Sequence, residues 1–179
     1  MSLPDAQGTQ YIHPVKTVLV PETGFVVSQV NPIDYGYIQV PVRYQGRLFQ
    51  PKSELHITLV SENAAETVRK HFEKRPGDID RVQEVIAQNR LSFRKLDEYY
   101  YVEESGEETI VQMVDLPNLG TFFQDLAGIT GGGYVLPPTH VTLYMRGTET
   151  GIGLPSPAVF DARVKSQVQP GELQYLHGA

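Results

Sequence analysis

LHITLV, at Leu55–Val60, and THVTLY, at Thr139–Tyr144, are near copies of one another. Each holds His, a β-branched apolar residue, Thr and Leu in that order, and each is bounded by residues suited to a strand. Side chains of a strand alternate between faces with a period of two. This places Leu55, Ile57 and Leu59 on one face of the first segment, with His56, Thr58 and Val60 on the other. In the second, Val141, Leu143 and Met145 share a face, opposite His140, Thr142, Tyr144 and Arg146. Each strand is thus expected to bury an apolar face while presenting imidazole and hydroxyl together on the reverse. The chain has only five histidines, and two of them occupy this same setting.

Working outward, strands are expected at residues 16–20, 36–44 and 54–60, with a turn at Gly46. A helix follows the first His-x-Thr strand, with Asn63 as cap, Glu66 three residues on as in a capping box, and Pro76-Gly77 as its stop. Val82, Val85 and Ile86 mark a second helix to about Arg90. Residues 98–104 and 108–114 pair around Ser105-Gly106. Leu116, Leu119, Phe122, Phe123 and Leu126 lie on one helical face, with Pro117 near its start and Gly128 at its end. The loop GGGYVLPP leads into the second His-x-Thr strand, and residues 158–166 are expected as a last strand. Residues 1–13 form a loose leader and residues 167–179 a peripheral tail on a single domain.

The bulk properties narrow the function. The 179 residues suffice for one domain with a substantial core, and the composition is ordinary, 40% hydrophobic and 20% charged. A net charge of −6 argues against a long nucleic acid or an anionic membrane as partner. The chain has no cysteine, so neither a disulfide framework nor a thiolate nucleophile is available. The N-terminus lacks the basic and apolar regions of a secretory signal, and no apolar run approaches the ~20 residues of a membrane span. A soluble cytoplasmic protein is expected.

Two imidazoles and two hydroxyls in one cleft suit attack at phosphorus. One His takes a proton while the other gives one, and the threonines donate to oxygens that gain negative charge. Competing motifs do worse. Gly131-Gly132-Gly133 is not followed by the Lys and Ser or Thr of a phosphate loop, and residues 147–156 have the wrong spacing for a dinucleotide fingerprint. No carboxylate or second His stands at ligand spacing beside His56 or His140, so no metal is expected.

The paired His-x-Thr-hydrophobic strands resemble the signature of the two-histidine (2H) phosphoesterase superfamily, which includes RNA 2′,5′-ligase-like proteins and cyclic phosphodiesterases. The resemblance rests on His56, Thr58, His140 and Thr142 and on a compatible element order over roughly residues 15–165. It implies a bilobal, pseudo-twofold α+β fold whose two antiparallel sheets line a central cleft, with helices outside. It also implies metal- and cofactor-independent chemistry at cyclic phosphate or 2′,5′ phosphodiester linkages of nucleotides or short RNA. Tyr144 and Arg146, continuing the polar face of the second strand, are the candidate substrate-binding residues. The alternative is a nucleotide-binding module on the same fold without catalysis.

Overall fold

The computed structural model describes residues 10–177. Two antiparallel sheets and five helices make an α+β fold. The smaller sheet has three strands, in the order β1 (Lys16–Val20), β2 (Phe25–Val30), β5 (Leu55–Val60). The larger has seven, in the order β10 (Gln174–Tyr175), β3 (Val42–Tyr44), β4 (Arg47–Pro51), β8 (His140–Arg146), β7 (Glu107–Asp115), β6 (Arg94–Glu104), β9 (Val164–Val168). Two-residue turns close the β3–β4 and β6–β7 hairpins. Both central residues of each are left-handed, Gln45-Gly46 (φ 49° and 76°) and Ser105-Gly106 (φ 51° and 82°), the geometry whose twist matches that of the flanking strands.

The connection that creates the site is short. Strand β4 pairs with β8, and after only Lys52, Ser53 and Glu54 the chain enters β5 in the other sheet. The Lys52 amide still donates to the Leu143 carbonyl of β8, at 2.8 Å. Each His-x-Thr strand therefore belongs to a different sheet, yet the two lie beside one another. The helices α2 (Glu62–Lys74), α3 (Asp78–Asn89) and α4 (Leu119–Thr130) pack their apolar stripes on the main core. That core joins Leu55, Ile57 and Leu59 of β5 to Val141, Leu143 and Tyr144 of β8 and to Val68, Val82, Phe122 and Leu126 of the helices. A smaller cluster of Val102, Val111, Met113, Ile152 and Leu154 lies on the opposite face of the larger sheet.

Several local expectations are corrected. Of residues 36–44 only Val42–Tyr44 is strand; upstream, the Asn31 side chain caps a one-turn helix, α1 (Pro32–Tyr35), which Gly36 ends at φ 74°. Helix α2 starts at Glu62 directly from β5, so Ser61, not Asn63, is its cap. Helix α4 runs through Gly128 and stops at Gly131, which supplies the left-handed cap at φ 72°. Residues 158–166 are not one strand: α5 (Pro157–Arg163) precedes β9. The Ser156 hydroxyl accepts from the Val159 amide at 3.3 Å, and Pro157 fills the first helical position, where a missing N–H costs nothing.

Among the described residues, parts of the expected leader and tail are tied to the fold. Ile12 is buried and exchanges backbone hydrogen bonds with Phe93, at 2.7 and 3.0 Å, so this part of the leader is tied down; residues 1–9 lie outside the described residues. In the tail, β10 forms an outer strand of the larger sheet and Leu173 is buried; residues 178–179 lie outside the described residues. Among the described residues no helix is long and apolar enough to cross a membrane.

Candidate functional site

Both His-x-Thr strands bend at the same place. In β5, His56 lies opposite Gln29 and Thr58 opposite Val27, but the next partner of β2, Val26, faces Val60. Leu59 is the extra residue of a β-bulge. In β8, His140 lies opposite Met113 and Thr142 opposite Val111, and then Ile110 faces Tyr144, with Leu143 left over. A bulge shifts the alternation by one residue, so whatever follows changes face. Each strand presents His and Thr on one side and turns inward at the following leucine.

The two His-Thr pairs line one cleft of about 500 Å³. His56 and Thr58 with Phe25 and Val27 form the wall from the smaller sheet, and His140 and Thr142 the wall from the larger. Residues 149–154 close a third side. This segment is anchored by Ile152 and Leu154 in the smaller apolar cluster and runs close over Thr142. Gly151 takes a left-handed conformation (φ 85°) that favours glycine, and a Cβ there would stand 3.3 Å from the Thr142 hydroxyl, a tight contact. Among the described residues, neither threonine hydroxyl takes part in a hydrogen bond with another protein group, which leaves both able to donate to an oxygen in the cleft.

The imidazoles are electrostatically coupled. Burial, the Lys52 charge and His140 together pull the His56 pKa from 6.5 down to about 4. Burial also lowers that of His140, opposed by its hydrogen bond to the Pro138 carbonyl, 3.0 Å from Nδ1. A carbonyl only accepts, so Nδ1 carries the proton, and in the neutral ring Nε2 is the basic nitrogen. A histidine whose pKa is depressed on folding contributes full stability above the unfolded value and loses it as pH falls toward the folded value. For His56 that window runs from pH 6.5 down to about 4. Between pH 7 and 5 the contribution lost is about 1–2 kcal/mol, allowing for partial solvent screening. Denaturant midpoints of the wild type and His56→Gln at the two pH values measure it. The variant is expected to lose that much less stability on acidification, and an identical loss in both proteins would contradict the assignment.

Of the residues expected to form the site, His56, Thr58, His140 and Thr142 come together, and Tyr144 and Arg146 do not join them. The bulge at Leu143 puts Tyr144 in the main core, 1% exposed, where its hydroxyl donates to the Ile38 carbonyl at 2.8 Å. Arg146 falls on the same side and pairs with buried Glu108, which also binds Arg47 and accepts from the Tyr101 hydroxyl at 2.6 Å. Val60 likewise turns from the expected cleft face into the core. Two features of the cleft were not expected, the carboxylates Glu54, Glu62 and Glu149 and the wall formed by residues 149–154, while Lys52, expected only as one of several basic residues near the strands, lines it too. Lys52 stands four residues before His56 and so was legible as a cation near that strand, but its direction depends on the crossing between sheets.

No protein-family model matches the chain, and neither a curated protein nor a solved structure matches it.

Proposed function

We propose that the cleft is the active site of a metal-independent phosphodiesterase of the two-histidine type, acting in the cytoplasm on cyclic phosphate or 2′,5′ phosphodiester linkages of nucleotides or short RNA. The observation that carries this reading is that His56, Thr58, His140 and Thr142, from two different sheets, line one cleft. In this reading the sheets are the halves of a bilobal, pseudo-twofold fold, and the matching bulges at Leu59 and Leu143 support that relationship.

The chemistry is a displacement at phosphorus. A neutral imidazole removes a proton from the attacking water or hydroxyl, a new P–O bond forms, and the bond to the leaving oxygen breaks. The second imidazole, protonated at the outset, passes its proton to that oxygen. Thr58 and Thr142 donate to the non-bridging oxygens as their charge grows. Both imidazoles are driven toward the neutral form in the free protein. The anionic substrate favours protonation of one of them, and so helps to assemble the required pair.

The test is turnover of a panel of nucleoside 2′,3′-cyclic phosphates and 2′,5′-linked dinucleotides, with and without chelator. Turnover unaffected by chelator is expected. Binding without turnover of any member identifies the non-catalytic nucleotide-binding module instead, and chelator loss restored by metal rejects the mechanism. The profile of kcat/KM against pH is expected to be bell-shaped with its maximum below pH 6.5, because both pKa values lie below the ordinary imidazole value. Thr58→Ala and Thr142→Ala are each expected to lose about 3 kcal/mol of transition-state stabilisation and keep a measurable remnant, since each removes one donor. Single-turnover rates measure that loss, and unchanged rates in both variants would remove the threonines from the mechanism.

A further inference from the structure

Lys52 is 6% exposed, yet it lines the same cleft as both histidines and its charge acts on His56. Its backbone is fixed by the bond to Leu143, and its ammonium donates to the Thr150 carbonyl at 3.4 Å, the long end of hydrogen-bond distances. Among the described residues it has no ion-pair partner. Burial disfavours the charged ammonium and the nearby Glu54 charge offsets part of that cost, so an anion arriving in contact offsets more of it. Around this buried cation the cleft is acidic. Glu54, Glu62 and Glu149 are exposed on its lining, and of these Glu62 has Arg163 at 3.7 Å. With the histidines neutral, the lining offers one positive group and three negative ones.

Building on the phosphodiesterase reading, we propose that Lys52 holds the charged oxygen of the substrate and that the acidic rim restricts that substrate to a single negative charge, a phosphodiester or cyclic phosphate without a further phosphate group. A first charge meets a buried ammonium that, among the described residues, has no carboxylate within ion-pair distance, Glu54 acting on it only from farther off. A second, on a terminal phosphate, meets carboxylates. One unfavourable charge pair a few ångströms apart weakens binding on the order of tenfold in dilute salt. The rim carboxylates are solvent-exposed, so added salt screens the penalty.

The experiment compares a nucleoside 2′,3′-cyclic phosphate bearing a free 5′-hydroxyl with the same compound bearing a 5′-phosphate. Kd is measured by calorimetry alongside kcat and KM, at low and at high salt. The 5′-hydroxyl compound is expected to bind about tenfold more tightly at low salt, with the gap narrowing at high salt. Glu149→Gln is expected to narrow it at low salt by improving the 5′-phosphate compound. Lys52→Met is expected to raise Kd and KM for both compounds, with Lys52→Arg restoring part of the loss and circular dichroism reporting the fold of each variant. Equal or tighter binding of the 5′-phosphate compound at low salt overturns the charge restriction. Unchanged Kd in a folded Lys52→Met variant overturns the anchor. Binding with the expected discrimination but no turnover leaves this inference standing and removes the catalytic reading, whereas absence of binding by either compound removes both.

Discussion

Alanine at His56 or at His140 is expected to lower kcat/KM for a nucleoside 2′,3′-cyclic phosphate by about 10³-fold or more, near the upper part of the range for losing a positioned proton donor or acceptor. In the proposed mechanism each imidazole supplies a separate proton transfer, one from each wall of the cleft. Two further outcomes follow. The double variant should be little worse than either single one, because groups that act as a unit do not contribute additively. In either single variant the bell-shaped pH profile should lose one limb, since only one titrating group remains. Both follow from single-turnover rates across pH with the four proteins. Full activity in either single variant would end the proposal.

The largest effect on stability is expected at Gly24, which is not itself part of the cleft lining. This residue turns the chain between β1 and β2 with φ 77°, directly against α2. A Cβ there would overlap the Ala65 carbonyl oxygen and come within 2.9 Å of the Arg69 nitrogen, both of them main-chain atoms of the helix. Backbone cannot step aside as a side-chain tip can. Left-handed strain and overpacking together put the cost of Gly24→Ala at about 3–5 kcal/mol, a large share of the roughly 5–15 kcal/mol that holds an ordinary domain together. Gly36→Ala separates the two contributions: φ is similar, 74°, but nothing lies within 4 Å of the added carbon. It should cost only the conformational part, about 1–2 kcal/mol. Equal denaturant midpoints for the two variants would show that the approach of the β1–β2 turn to α2 carries no weight.

The features legible in the sequence were those set by local chemistry. The alternation in LHITLV placed Leu55, Ile57 and Leu59 in the core, and Ser105-Gly106 marked the β6–β7 turn. Of the stripe from Leu116 to Leu126, Leu119, Phe122, Phe123 and Leu126 mark the buried face of α4, and Leu116 is buried just before it. The four His and Thr residues were legible because the motif recurs. The failures came where tertiary structure overrode a local pattern. Val159, Phe160, Ala162 and Val164 pass for half-buried strand, and the stronger signal, Ser156-Pro157 as a helix start, was overlooked. Tyr144 and Arg146 were misplaced because a period of two was carried across a bulge that composition does not mark. Lys52 was legible only as one of several basic residues near the strands, because its surroundings come from β8 and from residues 149–154, far away in the chain.

The paired bulges have a consequence for anyone who would transplant this constellation. Four side chains copied onto a regular antiparallel ribbon would not reproduce it. The alternation would run on, so the second residue after each threonine would face the graft's new pocket: a valine in one strand, a tyrosine in the other. The portable unit is the His-x-Thr-Leu segment together with a neighbouring strand one residue shorter. That offset sends Val60 and Tyr144 toward the interior, where both are buried. A scaffold lacking the offset would need smaller residues at both places before the four groups could face open space.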